Sequence, residues 1–171
     1  VDANIDLDRT IIEEKFTDFV LQSDKDLIKK FPERFPFMLI GGESHAHFHD
    51  GAQGGVTLHS QESLDELNNQ LGYQVEHARF RSNIIIEGVK PWEEFDWIGK
   101  NVTINNLNFT VEKPVTRCLA INCNPLDGTR DKNVLKSMLD FQDAKPPEFS
   151  VKLIPLNTEG QLSVGDSVYI N

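Results

Sequence analysis

The chain has 171 residues, of which 39% are hydrophobic, so it is long enough to bury one sizeable core. Its 27 acidic and 17 basic side chains give a formal charge of −10, which argues against nucleic acid as a partner because such binding needs Lys and Arg to neutralise phosphates. No apolar run reaches the roughly 20 residues of a membrane-spanning helix, and no signal-peptide pattern is recognised. The composition therefore predicts a soluble, cytoplasmic protein of one domain with at most a short extension.

The first predicted element is a helix over residues 8–30, because apolar residues recur there near the 3.6-residue period and a second helix start follows close to its end. Residues 31–54 lose this periodicity and are rich in Pro, Gly, His and aromatic residues, which predicts short strands and loops. A further helix is predicted from the N-cap Ser60 to the stop signal Gly72, with three leucines on one face.

Beyond Gly72 the pattern becomes mostly β. A three-isoleucine run predicts a strand at 83–87, and apolar residues that alternate around an Asn-Asn turn predict a hairpin over 102–111. The remaining predicted elements are strands at 118–122, 149–153 and 167–170 and one helix at 132–141.

Several short strands separated by polar turns predict a compact barrel or folded sheet. The expected fold class is mainly β with a few helices (α+β). We expect residues 1–40 to form a helical extension or a partial N-terminal region and residues 41–171 to form the β domain.

Cysteine gives the clearest chemical signal. Cys118 follows Arg117 where a strand is predicted to begin, and a thiolate there can hold a soft metal or carry sulfur. The alternative is a small buried apolar residue, the usual role of a free cysteine. Arg117 and Arg130 would favour the thiolate form if they reach it. If the segment is extended, Cys118 and Cys123 lie on the order of 16 Å apart, too far for a disulfide, which predicts free thiols and a reducing compartment.

Arginine is concentrated in one third of the chain, at Arg79, Arg81, Arg117 and Arg130. This asymmetry on an acidic protein indicates an anionic small ligand. Arg79 and Arg81 stand two residues apart just before a predicted strand, so both would project to one face and grip a phosphate or carboxylate. The alternative is that they are ion-pair partners for the many acidic side chains.

Three histidines alternate at His45, His47 and His49. On a strand they would share one face, as a zinc or nickel site requires. In a loop that geometry is lost, and no cysteine or second histidine group nearby completes the set, so we favour a polar loop lining a cleft. The sequence has no Ser-His-Asp nucleophile elbow, Walker A loop or dinucleotide glycine fingerprint, which excludes several common enzyme classes.

Three motifs occur in the order of a known family: Arg-Phe-Arg-Ser-Asn at 79–83, Pro-Val-Thr-Arg-Cys at 114–118 and Val-Gly-Asp at 164–166. On these motifs the chain resembles the MOSC family, the domain that ends eukaryotic molybdenum-cofactor sulfurases, and it is similar to the mitochondrial amidoxime-reducing component and its bacterial relatives. The resemblance runs over about residues 48–170. It implies a MOSC-type β-barrel that binds the molybdenum cofactor, a phosphate-bearing pterin with a dithiolene-held metal.

The resemblance also implies roles for particular residues. Cys118 is the catalytic cysteine, which either ligates molybdenum or accepts a persulfide. Arg81 and Asn83 hold the pterin or its phosphate, and Asp50 and Arg117 complete the cofactor-binding set. We expect the sulfur of Cys118 and the guanidinium of Arg81 to open onto one cavity.

Three functions are compatible with this resemblance. The first is a molybdenum-dependent oxidoreductase that reduces N-hydroxylated small molecules with electrons from a separate protein, because the chain has no iron-sulfur cysteine motif. The second is a sulfur carrier or cofactor-delivery module for another molybdoenzyme, with a persulfide on Cys118. The third is a folded family member without catalysis.

The sequence departs from the family pattern at three places. Ser82 stands where a proline usually separates the motif arginine and asparagine, and Ser150 stands where a glycine usually follows the aromatic Phe149. Residues 1–40 do not show the full N-terminal β region, with its Lys-Ser phosphate grip, that many relatives carry.

Overall fold

The structure is a computed structural model that describes residues 6–39, 54–142, 146–157 and 159–171. The chain divides into two compact units, residues 1–52 and residues 53–171. In the described ranges no helix has the length and apolar character needed to cross a membrane.

The first unit is helical in its described part. Helix α1 spans Asp6–Ser23 and helix α2 spans Leu27–Lys30, so the predicted helix over 8–30 with a second start is confirmed. A 3₁₀ turn follows at Pro32–Arg34. Residues 35–39 have no regular structure, so the short strands predicted from residue 31 onward do not occur in 31–39.

The second unit is built on a six-stranded sheet that curls into a half-barrel. Its strands are β1 Val56–Ser60, β2 Ile84–Ile86, β3 Asn101–Ile104, β4 Leu107–Thr116, β5 Glu148–Pro155 and β6 Val168–Ile170. Their order in the sheet is β2-β1-β5-β4-β3-β6; β1 and β2 are parallel and the other neighbours are antiparallel. Helices α3 (Gln61–Leu71) and α4 (Val134–Phe141) accompany the sheet, which confirms the predicted α+β class.

Local sequence signals position α3 and the β3-β4 hairpin as predicted. The side chain of Ser60 accepts a hydrogen bond from the backbone of Ser63 at 3.1 Å, and Gly72 ends the helix in the left-handed conformation. Ile104 pairs with Leu107 across a two-residue turn in which Asn105 has a φ of +56°.

Two apolar clusters lie on opposite faces of the sheet. The first contains Leu58 and Val151, and the second contains Phe80 and Phe149 with residues of α3 and α4. Residues two apart in a strand normally share a face, yet Phe149 and Val151 belong to different clusters. The cause is a β-bulge: the β4-β5 register shifts at this point, and Ser150 has a φ of +75°.

One predicted strand is wrong. Strand β4 ends at Thr116, and Leu119–Asn122 forms a 3₁₀ helix instead of the strand expected at 118–122. The segment does not alternate: Ile121 is buried in the second cluster, whereas Leu119 is exposed. The extended geometry assumed for the two cysteines is therefore wrong as well, although both thiols are free as expected.

Candidate functional site

The described residues include four of the five predicted cofactor-site residues: Arg81, Asn83, Arg117 and Cys118. Asp50 lies outside the described residues, as do the three alternating histidines, so those predictions stay predictions.

Arg117 is a half-buried clamp between two elements. Its Nε donates to the carbonyl oxygen of Phe149 at 2.7 Å, and its Nη1 donates to that of Phe80 at 2.8 Å. Its Nη2 donates to Phe149 O and to the Ser150 hydroxyl, the latter at 2.6 Å. Burial lowers the pKa of Arg117 to about 10, against a raising effect of the adjacent Cys118, so the guanidinium is charged at neutral pH. Four hydrogen bonds leave one of its five N–H donors without a partner among the residues that the structure describes.

This clamp links the segment that carries Arg81 to the segment that carries Cys118. A 2.8 Å hydrogen bond joins Arg117 to Phe80. Cys118, with its exposed thiol, directly follows Arg117, and Arg81, with its exposed guanidinium, directly follows Phe80. Arg81 follows the 3₁₀ helix His77–Phe80 in the left-handed conformation, with a φ of +51°. Within the described residues its guanidinium has no hydrogen-bond or ion-pair partner, which leaves it available for an anion.

Asn83 is fixed to the start of β1. Its side-chain oxygen accepts hydrogen bonds from the backbone nitrogen of Thr57 at 2.9 Å and from the Thr57 hydroxyl at 3.2 Å. Its own backbone nitrogen donates to Thr57 O at 3.0 Å. The side-chain amide nitrogen has no partner in the described part of the chain, so Asn83 can still donate to a ligand.

The predicted pairing of Arg79 with Arg81 as an anion grip is wrong. Arg79 is buried, and it donates to Glu76 at 2.5 Å and to both carboxylate oxygens of Asp131 at 2.8 and 2.7 Å. The Asp131 hydrogen bonds raise the pKa of Arg79 above its ordinary value. Because the segment is a 3₁₀ helix and not a strand, residues two apart do not share a face. The ion-pair alternative holds for Arg79, and of this pair only Arg81 lacks a partner within the described ranges.

Sequence reasoning missed the contact between the two residues that depart from the family pattern. The hydroxyls of Ser82 and Ser150 lie 2.8 Å apart and are hydrogen-bonded. Ser150 is fully buried in the β5 bulge and also binds Arg117. Two contacts therefore connect the loop of Arg81 and Asn83 to Arg117, the residue before Cys118. One is the direct hydrogen bond from Arg117 to Phe80, and the other runs through the hydroxyls of Ser82 and Ser150.

A buried histidine lies beside the clamp. His59 of β1 is fully buried, and its ring packs 5.0 Å from Phe149 and 6.4 Å from Phe80 between ring centroids. Neither ring nitrogen has a hydrogen-bond partner among the described residues. Burial, together with the positive charge of Arg117 and the neighbouring His77, lowers the pKa of His59 to about 4. The imidazole is therefore neutral at physiological pH.

A groove of about 890 Å³ opens between the outer strands β2 and β6. We call it the edge groove. Asn83 lines it, but Arg81, Arg117 and Cys118 do not. The edge groove therefore borders the candidate site at one residue, and the expectation of one cavity shared by Arg81 and Cys118 stays a prediction.

The fold and the site define a class: a small α+β half-barrel with an exposed thiol and an exposed guanidinium that has no partner among the described residues. Comparison with known proteins gives the family. Residues 45–169 match the model of the MOSC domain, and the chain belongs to the MOSC domain family.

Relatives carry two different names. The chain is 25% identical over 154 residues to a molybdenum cofactor sulfurase of Caenorhabditis elegans, which covers 89% of this chain and 19% of the relative. It is 29% identical over 120 residues to mitochondrial amidoxime-reducing component 1 of Mus musculus, a match that covers 65% of this chain and 35% of the relative. It is 30% identical over 123 residues to mitochondrial amidoxime reducing component 2 of Bos taurus, a match that covers 67% of this chain and 36% of the relative. The chain spans about a fifth to a third of the length of these relatives.

The bulge predicts an order of stabilities at position 150. Ser150→Ala keeps a side chain at positive φ and removes the hydroxyl, so it should lower the free energy of unfolding by about 1–3 kcal/mol. Ser150→Gly loses the same hydrogen bonds but relieves roughly 1 kcal/mol of backbone strain, so its loss should be smaller. Urea unfolding measures both, with Ser163→Ala at an exposed position as the control. A glycine variant less stable than the alanine variant would contradict this account.

His59 predicts a pH dependence of stability. The pKa is about 4 in the folded protein and ordinarily 6.5, so protons bind preferentially to the unfolded chain as the pH falls below 6.5. From about pH 7 to about pH 5 the folded state should lose about 2 kcal/mol through this residue. His59→Leu should remove that loss, whereas His77→Gln, at an exposed position nearby, should keep it. Unfolding curves at the two pH values test the difference; the same pH loss in His59→Leu as in the unmodified protein would refute it.

Proposed function

We propose that the protein binds the molybdenum cofactor and reduces N-hydroxylated compounds, with Cys118 as the molybdenum ligand. The protein is related to molybdenum-cofactor proteins through its family. One observation carries the finer proposal: the exposed Cys118 thiol and the Arg81 guanidinium, which has no partner in the described part of the chain, belong to the residues that follow Arg117 and Phe80, and a hydrogen bond joins Arg117 to Phe80.

The residues present fit such a cofactor. A thiolate is a suitable ligand for a soft metal, and a guanidinium is a suitable partner for phosphate. In this proposal Cys118 binds the metal, and Arg81 with the side-chain nitrogen of Asn83 holds the pterin or its phosphate. Arg117 keeps its structural hydrogen bonds and offers its remaining N–H to the ligand. Asp50 remains a candidate outside the described residues.

When bound, the cofactor would supply a redox-active metal for cleavage of the N–O bond. Overall, the N-hydroxylated compound takes up two electrons and two protons, its N–O bond breaks, and the amine or amidine and water leave. The electrons come from a separate electron-donor protein. The chain itself contributes binding and positioning in this proposal. Arg81 orients the anionic part of the ligand, and the hydrogen bonds of Arg117 fix the spacing between Arg81 and Cys118.

A sulfur carrier is the second candidate. The accessible Cys118 thiol can take a sulfane sulfur from a persulfide donor as Cys–S–SH and hand it to a molybdoenzyme acceptor, which regenerates the thiol. Similarity to sulfurases favours this role. The exposure of Cys118 serves both candidates, so metal content and persulfide content must be measured side by side.

Replacement of the thiol tests the proposal. Protein purified from a host that makes the cofactor should contain molybdenum and pterin. Cys118→Ser should lose molybdenum and the reduction of a small N-hydroxylated amidine by chemically reduced electron donor. Cys123→Ser removes the other thiol and should keep both. Elemental analysis and pterin fluorescence provide the readouts.

The same preparations separate the candidates. A protein without molybdenum whose Cys118 carries cyanide-labile sulfur after treatment with a persulfide donor is a sulfur carrier, and the reductase proposal fails. A protein with neither molybdenum, pterin nor labile sulfur is a non-catalytic family member.

Arg81 provides a second test. Arg81→Ala should weaken retention of the cofactor about tenfold to a hundredfold, because it removes a charge-assisted hydrogen bond from an exposed side chain. Its unfolding midpoint should stay unchanged, since Arg81 has no partner among the described residues. Arg130→Ala, which also removes an exposed arginine, is the matched control. Equal loss of cofactor in both variants would mean that the effect is one of net charge and not of a site at Arg81.

A further inference from the structure

The edge groove lies between the two open edges of the sheet. Strand β2 pairs with β1, and β6 pairs with β3; in the described part of the chain neither edge has a partner on its outer side. Residues of both edge strands line the same groove. The curl of the half-barrel therefore brings two unpaired backbone edges to one opening, where each can accept a further strand.

The groove has an apolar floor. Trp97 and Ile104 belong to the first apolar cluster and also line the groove. Closer to solvent, Ile85 is 40% exposed, Tyr169 60% and Ile170 39%. An occupant with apolar side chains would cover these surfaces.

The charged residues of the lining all carry the same sign. Glu87, Glu93 and Asp166 line the groove, and its lining contains no Lys or Arg. Glu93 accepts a hydrogen bond from the backbone of Lys90, and Asp166 accepts one from the backbone of Ser163. Among the described residues none of the three carboxylates forms an ion pair, so their charges are available to a cationic occupant.

We propose that the edge groove binds an extended, basic segment of a partner protein as an added β-strand. In this proposal the added strand forms backbone hydrogen bonds with an open edge of the sheet, and its alternate apolar side chains pack on Trp97 and Ile104. Its Lys or Arg side chains contact the carboxylates of Glu87, Glu93 and Asp166, which we call the rim carboxylates. A second copy of this chain fits less well, because it would set the same carboxylates and a charge of −10 against each other.

This proposal does not rest on cofactor binding. Asn83, one of the predicted cofactor-site residues, lines the groove, so a partner seated in the groove would lie next to Asn83.

The test uses the whole chain and short capped peptides that alternate Lys with Val. The Lys-Val peptide should bind with an affinity that falls as salt rises, and it should slow hydrogen exchange in β2 or β6. An equally long Glu-Val peptide should not bind. Insertion of proline into the Lys-Val peptide should abolish binding, since proline cannot donate to a strand.

Charge reversal at the groove sharpens the test. Glu87→Lys places a cation on the rim at an exposed residue and should weaken binding of the Lys-Val peptide about tenfold or more. Asp140→Lys, at an exposed position of helix α4 and outside the groove lining, makes the same change in net charge and should weaken it far less.

Three results would overturn the proposal. Equal weakening in the two variants would show general attraction to an acidic protein. Binding of the Glu-Val peptide with equal affinity would show that charge does not select the occupant. A stable dimer whose edge strands become exchange-labile when Tyr169→Lys dissociates it would show that a second copy occupies the groove.

Discussion

The hydrogen bonds of one guanidinium hold the candidate site together. Burying a charge is costly unless its donors are satisfied, and Arg117 satisfies four of its five on Phe80, Phe149 and Ser150. These acceptors belong to a 3₁₀ helix and to β5, which are far apart in sequence. This interaction links the segments that carry Arg81 and Cys118, because each of these residues adjoins a residue that takes part in it.

The bulge in β5 provides two of the acceptors, the Phe149 carbonyl oxygen and the Ser150 hydroxyl. The positive φ of Ser150 turns Phe149 toward the second apolar cluster while Val151 stays in the first. At a regular strand position the Phe149 carbonyl would be engaged in the sheet ladder; the irregular pairing with β4 leaves it to Arg117. The bulge that places Phe149 and Val151 on different faces of the sheet thus also provides hydrogen-bond acceptors for Arg117.

The sequence allowed prediction of elements whose signals are local. The Ser60 cap, the Gly72 stop and the Asn-Asn hairpin turn lie within a few residues of what they control. The 3₁₀ helix at Leu119–Asn122 and the ion pair of Arg79 with Asp131 depend on partners distant in the chain, so a short apolar run and an arginine pair were interpreted wrongly. The family motifs indicated Arg81 and Cys118, but no local pattern indicates that Ser82 meets Ser150 across 68 residues.

The Arg117 junction has a consequence for how this protein can evolve. A lysine has a single cationic centre and no planar fork, so it cannot reach both carbonyl groups and the serine hydroxyl at once. Replacement of Arg117 would leave acceptors on two separate segments without a hydrogen-bond donor at the same time. No single neighbouring substitution supplies a new donor to both segments. We expect lineages to vary freely around this position while the arginine itself stays fixed, whether or not a given descendant retains any chemistry at the adjacent sulfur.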